Sequence, residues 1–318
     1  MTESPYGPVA SRPVSLPYSI GWLDRAVERR RDAGWVDAML RSERASVIPM
    51  WRDLAVADGD RRRPVTLGVR AAGAVLAAAG DVIFLGLDDE APLFAADLSL
   101  LAEAEVVELV GSTGVLDVRR IVETVPPAQA ATFAFARGML HWSRNQRYCG
   151  ACGGETEQRD GGHLRVCRRP SCARLLYPRI EPAVITLVES PNDGSRCLLA
   201  RQRGASGAYA LLAGFVEIGE CLEDAVHREI AEEASVEVEN VTYQASQTWP
   251  FPAGLMIGFR ARAVSDAVCP DGRELEELRW VSRTEVREHL TPGSGPTRIL
   301  GSDSIESWLL RSWLSEAD

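Results

Sequence analysis

The stretch that decides the fold is Gly214–Asn240, GFVEIGECLEDAVHREIAEEASVEVEN. Nine acidic residues (217, 220, 223, 224, 229, 232, 233, 237 and 239) stand beside one arginine, Arg228, so these 27 residues carry −8 of a formal net charge of −10. Leu222, Ala225, Val226 and Ile230 recur at helical spacing and predict a buried seam. Glu229, Glu232 and Glu233 follow i, i+3, i+4 and crowd another face, where like charges repel. A solvated acidic face is the ordinary explanation of such a run. A divalent cation would also offset the repulsion, and hard carboxylate oxygens suit magnesium or manganese. Taken alone, the triplet does not decide between the two.

The remainder of the chain sets bounds. At 318 residues, 46% hydrophobic and 25% charged, it has the composition of a soluble globular protein of about two domains. All 35 basic residues are arginine. Schiff-base lysine chemistry, a lysine general base and a P-loop lysine are therefore excluded. The acidic average argues against broad electrostatic binding to nucleic acid or anionic membranes. Residues 1–31 lack the apolar core of a secretory signal, and the longest small-apolar run, 71–80, is too short to span a bilayer. Seven cysteines without an export signal point to a reducing, cytoplasmic setting without disulfides.

Three blocks are expected: 1–142, 143–180 and 181–318. In the first, Val82–Leu87 reads as a buried strand, and Leu98–Val110 and Pro127–Trp142 read as helices. No catalytic pattern appears there, and a structural or dimerising α+β domain is expected. The third block alternates apolar runs (183–188, 197–200) with helical stretches, as an α/β domain with a mixed sheet does. Thr291–Pro296 reads as a loop before a last amphipathic helix containing Trp308, Leu309, Leu310 and Trp313.

The middle block holds Cys149-x2-Cys152, fourteen residues, then Cys167-x4-Cys172. This is the spacing of two knuckles facing each other across a hairpin, and four thiolates close the tetrahedral shell of a structural zinc. An iron–sulfur cluster could use the same ligands, but no electron-transfer context accompanies them. Between Arg144 and Arg179 there are eight arginines and three acids, a local charge of +5 before the thiolates. A ribbon of this charge could also contact nucleic acid. Cys197, Cys221 and Cys269 are expected to be free thiols.

Gly214, five residues, Glu220, seven residues and Arg228–Val236 together resemble the Nudix box, G-x5-E-x7-R-E-U-x-E-E-x-G-U, where U is a bulky aliphatic. Ser235 stands where the family has glycine, which is favoured at a left-handed helix end. Cys221 stands where Ser or Thr would make a better capping box with Asp224. Ser246–Gly254, SQTWPFPAG, places two prolines around aromatic rings, a rigid frame suited to stacking on a planar base, though packed core aromatics would read the same way. It is similar to S-Q-P-W-P-F-P-x-S, the mark of the NADH pyrophosphatase branch of Nudix enzymes; Thr248 replaces proline and Gly254 replaces serine. That branch also carries a four-cysteine ribbon before the Nudix domain and a diverged domain before the ribbon.

The resemblance implies an α/β fold: a Nudix α/β/α sandwich with a mixed sheet, preceded by a zinc ribbon and an N-terminal α+β domain. It implies that Glu229 and Glu233 hold catalytic magnesium or manganese, with Glu232 beside them, the backbone carbonyl of Ala213, and Glu274 from a downstream acidic stretch. Glu233, Glu229 and Glu232 are the catalytic candidates, any of which (or Glu274) could share the proton; Glu220 is expected to orient Arg228. Tyr177 and Phe215 match nucleotide contacts. Gln247, Thr248, Trp249, Pro250, Phe251, Pro252, Ala253 and Gly254 match the segment that shapes the nicotinamide-nucleotide pocket, in the family across a dimer interface. The family's Ser-Ile-Ala appears as Ser304-Ile305-Glu306. Arg119 and Arg120 could match a substrate-contacting arginine, but the register leaves them unassigned.

The implied activity is metal-dependent hydrolysis of the diphosphate bond of NADH or NAD to nicotinamide mononucleotide and AMP, extending to NAD caps on RNA 5′ ends, by a homodimer with structural zinc and no membrane partner. Two other readings remain: a Nudix hydrolase for another nucleoside diphosphate such as ADP-ribose, and a zinc-ribbon nucleic-acid-binding protein with weak catalysis.

Overall fold

The computed structural model describes residues 16–20, 22–59, 63–192, 194–204, 209–290 and 304–316. The expected 291–296 loop lies outside the described residues. The chain divides into an N-terminal unit, Tyr18–Ile180 with Trp249–Ala253, and a C-terminal unit, Glu181–Thr248 with the described residues from Gly254 onward and with Leu16 and Pro17. No described helix is long and apolar enough to cross a membrane.

In the N-terminal unit α1 (Ala33–Leu40) starts on Asp32, whose carboxylate accepts from the Gly34 and Trp35 amides. Strands β1 (Ser46–Trp51), β2 (Leu54–Asp58), β3 (Arg63–Pro64) and β4 (Leu67–Gly68) lead to α2 (Gly73–Ala78). Then come β5 (Val82–Asp88), β6 (Ala91–Asp97), α3 (Glu103–Val110), β7 (Gly114–Asp117) and α4 (Pro127–Asn145). The sheet order is β3-β2-β1-β6-β5, with β4 on β1 and β7 on β2; β1 and β6 run parallel.

Successive strand residues face opposite sides, so Ile83 and Leu85 pack with α4 while Phe84 packs on the other face. A register shift between Phe84 and Gly86 changes the parity, and Leu87 returns to the Phe84 face. Gly86 has φ +151°, and a Cβ there would lie 2.6 Å from the Asp24 carbonyl. Helix α4 begins with Pro127, whose missing N–H costs nothing at that position. It buries Phe133, Ala134, Ala136, Met139 and Leu140 against Ile48, Met50 and Ala95.

The helix expected from Leu98 starts only at Glu103. Leu98 N–H donates to the Met50 carbonyl, which holds it to the sheet, and Glu105 accepts from the Ala102 amide at 2.7 Å, which sets the helix start. Strands β8 (Thr156–Arg159), β9 (Leu164–Cys167) and β10 (Leu175–Leu176) form the small antiparallel sheet of the cysteine segment. Buried Arg165 ties it to the larger sheet, donating to Ser143 Oγ at 2.6 Å, Thr156 Oγ1 at 2.8 Å and Asp81 Oδ2 at 3.2 Å.

The C-terminal unit contains β11 (Glu181–Glu189), β12 (Arg196–Gln202), β13 (Leu212–Phe215), α5 (Leu222–Ala234), β14 (Val238–Trp249), β15 (Gly254–Ala263), β16 (Leu275–Ser282), α6 (Arg283–Leu290) and α7 (Ile305–Ser315). The sheet runs β14-β15-β11-β12-β16 with β13 on β11. Strands β11 and β15 are parallel, β11–β12, β11–β13 and β12–β16 antiparallel, so the sheet is mixed. Val184, Val188, Leu198 and Ala200 face α5 through Ala225, Val226, Ile230 and Ala234. Ile185, Leu187, Cys197 and Leu199 face α7 through Leu309, Leu310 and Trp313. Both faces are covered, which is why 183–188 reads as a continuous apolar run, and the layering is α/β/α.

Candidate functional site

Two clusters of ligating side chains stand out, one in each unit. In the N-terminal unit Cys149 opens a tight turn in which the Cys152 and Gly153 amides donate to its carbonyl. Cys167 ends β9, and the Cys172 amide donates to the Arg169 carbonyl. The four sulfurs lie within 4.8 Å of one another, with pairs at 3.5 and 3.8 Å. A tetrahedron with Zn–S bonds of about 2.3 Å sets its sulfurs about 3.8 Å apart. The donor set therefore fits structural zinc with no open position. All seven cysteines are free of disulfides, with Cys197 buried and Cys221 and Cys269 exposed.

In the C-terminal unit α5 carries the acidic site. Its start is a reciprocal cap: Asp224 N–H donates to Cys221 Sγ, and Cys221 N–H to Asp224 Oδ2, both at 3.4 Å. Sulfur serves here in place of a hydroxyl. At the other end Ser235 sits at φ 56°, ψ 34°, the left-handed conformation for which glycine is the usual choice.

Arg228 is the hub of the preceding loop. Its guanidinium donates to Glu220 Oε1 at 2.5 Å and Oε2 at 3.0 Å, to Glu229 Oε1 at 2.9 Å, to Glu232 Oε2 at 3.1 Å and to the Phe215 carbonyl at 2.8 Å. The Arg228 bond, then the Glu217 amide, hold the Glu220 carboxyl down at about 2. Glu220 thus orients Arg228, as the sequence implies. The Glu229 carboxylate rests on Gly214; a Cβ there would lie 1.9 Å from its Cδ, so only glycine fits.

Glu233 sits among the other acids. Burial first, then Glu229, Glu274, Asp271 and Glu232, push its carboxyl up to about 8. Burial likewise raises Glu229 above the ordinary range despite Arg228. Glu232 is largely exposed. Asp271 is the member that sequence reasoning missed. Its carboxylate accepts from the Glu274 and Leu275 amides at 2.9–3.2 Å, and its own amide donates to the Glu233 carbonyl. It thereby fixes the loop that presents Glu274. No motif position flags it; the only signal is an acid followed by a glycine just before the Glu274 stretch. Ala213 lies on β13, paired with Ile185. Among the described residues the cysteines are the sole set of three or more ligands with all donor atoms within 4.8 Å; the carboxylates are gathered more loosely.

The remaining predicted residues divide between the units. Phe215, at the end of β13, is exposed, as is Tyr177 after β10. Gln247 is buried: its Oε1 accepts from the Ile305 amide at 2.7 Å and its Nε2 donates to the Pro17 carbonyl at 3.4 Å. Thr248 is exposed, and Gly254 pairs with Glu181. Trp249–Ala253 belongs to the N-terminal unit, where Trp249 and Phe251 meet Tyr18 edge-on at 5.2–5.8 Å. Pro250 accepts from Arg137 at 2.8 Å, and Phe251–Pro252 is cis, followed by Ala253. Arg119 lies 5.1 Å over the Trp249 ring. Glu306 is buried, accepts from the Leu211 amide at 2.7 Å and is pushed up to about 7 by burial.

Comparison with known proteins follows this division. The NUDIX domain family matches residues 179–298, the NADH pyrophosphatase zinc ribbon domain 144–177, and the NADH pyrophosphatase-like rudimentary NUDIX domain 39–142. The chain is 41% identical over 194 residues to the NAD-capped RNA hydrolase NUDT12 of Homo sapiens, covering 57% of this chain and 42% of that one. It is 44% identical over 183 residues to the NAD-capped RNA hydrolase NudC of Pseudomonas syringae pv. syringae, covering 57% and 60%. It is 37% identical over 227 residues to the NAD-capped RNA hydrolase NudC of Deinococcus radiodurans, covering 70% and 77%. The chain thus spans less than two thirds of the length of the first two relatives. An acidic helix held by one arginine, a four-cysteine ribbon and a relative matched over most of its length converge on one assignment: the chain belongs to the Nudix family, in the branch that carries an NADH pyrophosphatase-like domain and a zinc ribbon.

Proposed function

We propose that this chain hydrolyses the diphosphate bond of NADH and NAD to nicotinamide mononucleotide and AMP, and removes NAD caps from RNA 5′ ends. The observation that carries the reading is the gathering of Glu229, Glu232, Asp271 and Glu274 around half-buried Glu233, with Arg228 paired to Glu229 and Glu232 and Arg273 beside Asp271. Its chemical meaning is a site lacking positive charge. Magnesium or manganese fits that deficit, held by Glu229, Glu232, Glu233, Glu274 and the Ala213 carbonyl. A bound divalent ion supplies charge neutralisation at the diphosphate oxygens and a water of lowered pKa. Within the chain, Arg228 keeps Glu229 and Glu232 aimed, Asp271 keeps Glu274 in place, and Glu233 is the candidate to take the proton from the attacking water.

Tyr177 and Phe215 are the proposed stacking groups for the nucleotide. Gln247, Thr248, Trp249, Pro250, Phe251, Pro252, Ala253 and Gly254 are proposed to shape the nicotinamide end, with Trp249 and Phe251 as the flat surfaces and Gln247 acting through α7, whose first amide it holds. We propose a cytoplasmic homodimer built from domains 1–142, 143–180 and 181–318, with zinc at Cys149, Cys152, Cys167 and Cys172. The +5 ribbon segment would guide an RNA strand.

The test is to incubate the purified protein with magnesium or manganese and, separately, NADH, NAD, ADP-ribose and NAD-capped RNA, and to follow AMP or the 5′-monophosphate end. Turnover of NADH and of the capped RNA is expected. Preference for ADP-ribose would redirect the reading to another nucleoside diphosphate, and no turnover of any substrate would sink it.

A further inference from the structure

The segment Asp24–Asp32 holds four arginines and three acids, and every acid is engaged. Asp24 pairs with Arg29 at 2.7 Å and accepts from the Ala26 amide. Glu28 pairs with Arg31 at 2.7 Å. Asp32 caps α1. Arg25 and Arg30 are left over. The Arg25 guanidinium lies 4.0 Å over the Phe135 ring of α4 and makes no ion pair with any described residue. One Arg30 Nη donates to the Arg25 carbonyl at 3.2 Å, while its Nε is buried with no hydrogen-bond partner. His163 also meets Phe135, ring centroids 6.3 Å apart, and its Nε2–H donates to the Phe84 carbonyl at 2.7 Å.

The consequence is a cationic cluster that forms no ion pair among the described residues. Burial and then Arg30 bring Arg25 down to about 10. Burial, then these same two arginines against the Phe84 bond, take His163 down to about 3, so it is neutral. The acid that acts on Arg30 is Asp160, which forms no ion pair within 4 Å among the described residues. A partly buried guanidinium and an orphaned donor each cost stability unless something compensates them.

We infer that Arg25 and Arg30, beside Phe135 and His163, form a phosphate-binding site in the N-terminal unit, separate from the acidic helix. Phosphate fits better than a carboxylate because a monoester carries about −1.5 to −2 of charge near neutral pH, closer to the deficit of two arginines. Guanidinium forks also match phosphate oxygens in pairs. The site takes either free phosphate or the terminal phosphate of a nucleotide chain; the chemistry is shared. It does not rest on the hydrolase reading.

The experiment uses the full-length, zinc-loaded protein without added magnesium or manganese, so that the acidic helix repels anions. Equilibrium dialysis follows labelled inorganic phosphate and a short RNA with a 5′-phosphate, with the 5′-hydroxyl RNA as control. Phosphate should bind at one site per chain, and Arg25→Gln and Arg30→Gln should each weaken it by about tenfold or more. Retention of the phosphorylated RNA over its 5′-hydroxyl form, lost in the same variants, would identify a nucleic-acid end as the source; binding of inorganic phosphate alone would identify the free anion. A second readout is thermal: added phosphate should raise the melting temperature of the parent protein and leave that of either variant unchanged. Absence of phosphate binding by the parent protein, or equal binding by both variants, overturns the inference.

Discussion

Both units place helices over a mixed sheet, yet the two principal helices are made of opposite material. Helix α4 has no acid among 19 residues and buries ten of them. Helix α5 has five acids among 13 residues and buries four. The first is a packing element: its faces meet sheet and loops, and its arginines close polar contacts, as Arg144 does with Asp53 and Asp97. The second keeps only a narrow seam, Ala225, Val226, Ile230 and Ala234, and leaves the rest of its surface to carboxylates. The lesson is that one layered scaffold can devote its helix to stability or to chemistry, and that the polar remainder of the helix tells which.

The contrast can be broken or sharpened by substitution. The largest effect should follow Glu233→Gln: the proposed hydrolysis of NADH should fall by about 10³-fold, while the melting temperature of the metal-free protein holds near neutral pH, where the crowded carboxyl already keeps its proton. Wild-type turnover by this variant would move the chemistry away from α5. The mirror experiment in α4 is Phe133→Ala, which empties a fully buried site. It should cost about 3–5 kcal/mol of unfolding free energy by denaturant titration, and a loss below about 1 kcal/mol would deny α4 its packing role.

A smaller effect concerns Glu306. Its carboxyl titrates at about 7 in the folded protein, above its ordinary value, because it is buried. As pH rises from the ordinary carboxylate range, the unfolded chain ionises while the native state keeps its proton. Stability therefore falls up to about pH 7 and levels off beyond, by an amount on the order of 3 kcal/mol. Glu306→Gln should flatten that slope in denaturant titrations across pH 4.5–8. The smallest effect is at the end of α5: Ser235→Gly, at φ 56°, should stabilise by up to about 1 kcal/mol.

Much of the acidic site is legible in the chain because its contacts are local. Glu220, Arg228, Glu229 and Glu232 meet within one loop and one helix, where spacing dictates proximity. The cap between Cys221 and Asp224 and the left-handed Ser235 follow from the same short-range rules. The cysteine cluster is legible because ligand spacing encodes the knuckles. What escapes is long-range. Asp271 reaches Glu233 through a loop that folds back after β15. Gln247 reads as part of a pocket, but its amide spans to Pro17 and Ile305, neither of which its neighbours in sequence reveal. The start of α3 misleads because Leu98 and Leu101 continue the apolar periodicity while a hydrogen bond to Met50 holds Leu98 on the sheet. Arg25 and Arg30 look like any basic surface until the acids of their segment are accounted for, Asp24 and Glu28 by ion pairs and Asp32 by the cap of α1.

The ring trio of Tyr18, Trp249 and Phe251 bears on how this polypeptide can be divided. Two of its three members come from a turn encoded some seventy residues beyond the end of the ribbon. An expression fragment ending at residue 180 would contain every strand of the N-terminal sheet and still leave Tyr18 bare, with Arg119 and Arg137 reaching for rings and a carbonyl that the fragment does not encode. A faithful N-terminal piece would have to restore residues 249–253 through a short grafted linker or a supplied peptide, and recovery of a folded sheet on adding that peptide would make this turn a ready-made handle for split-protein reconstitution.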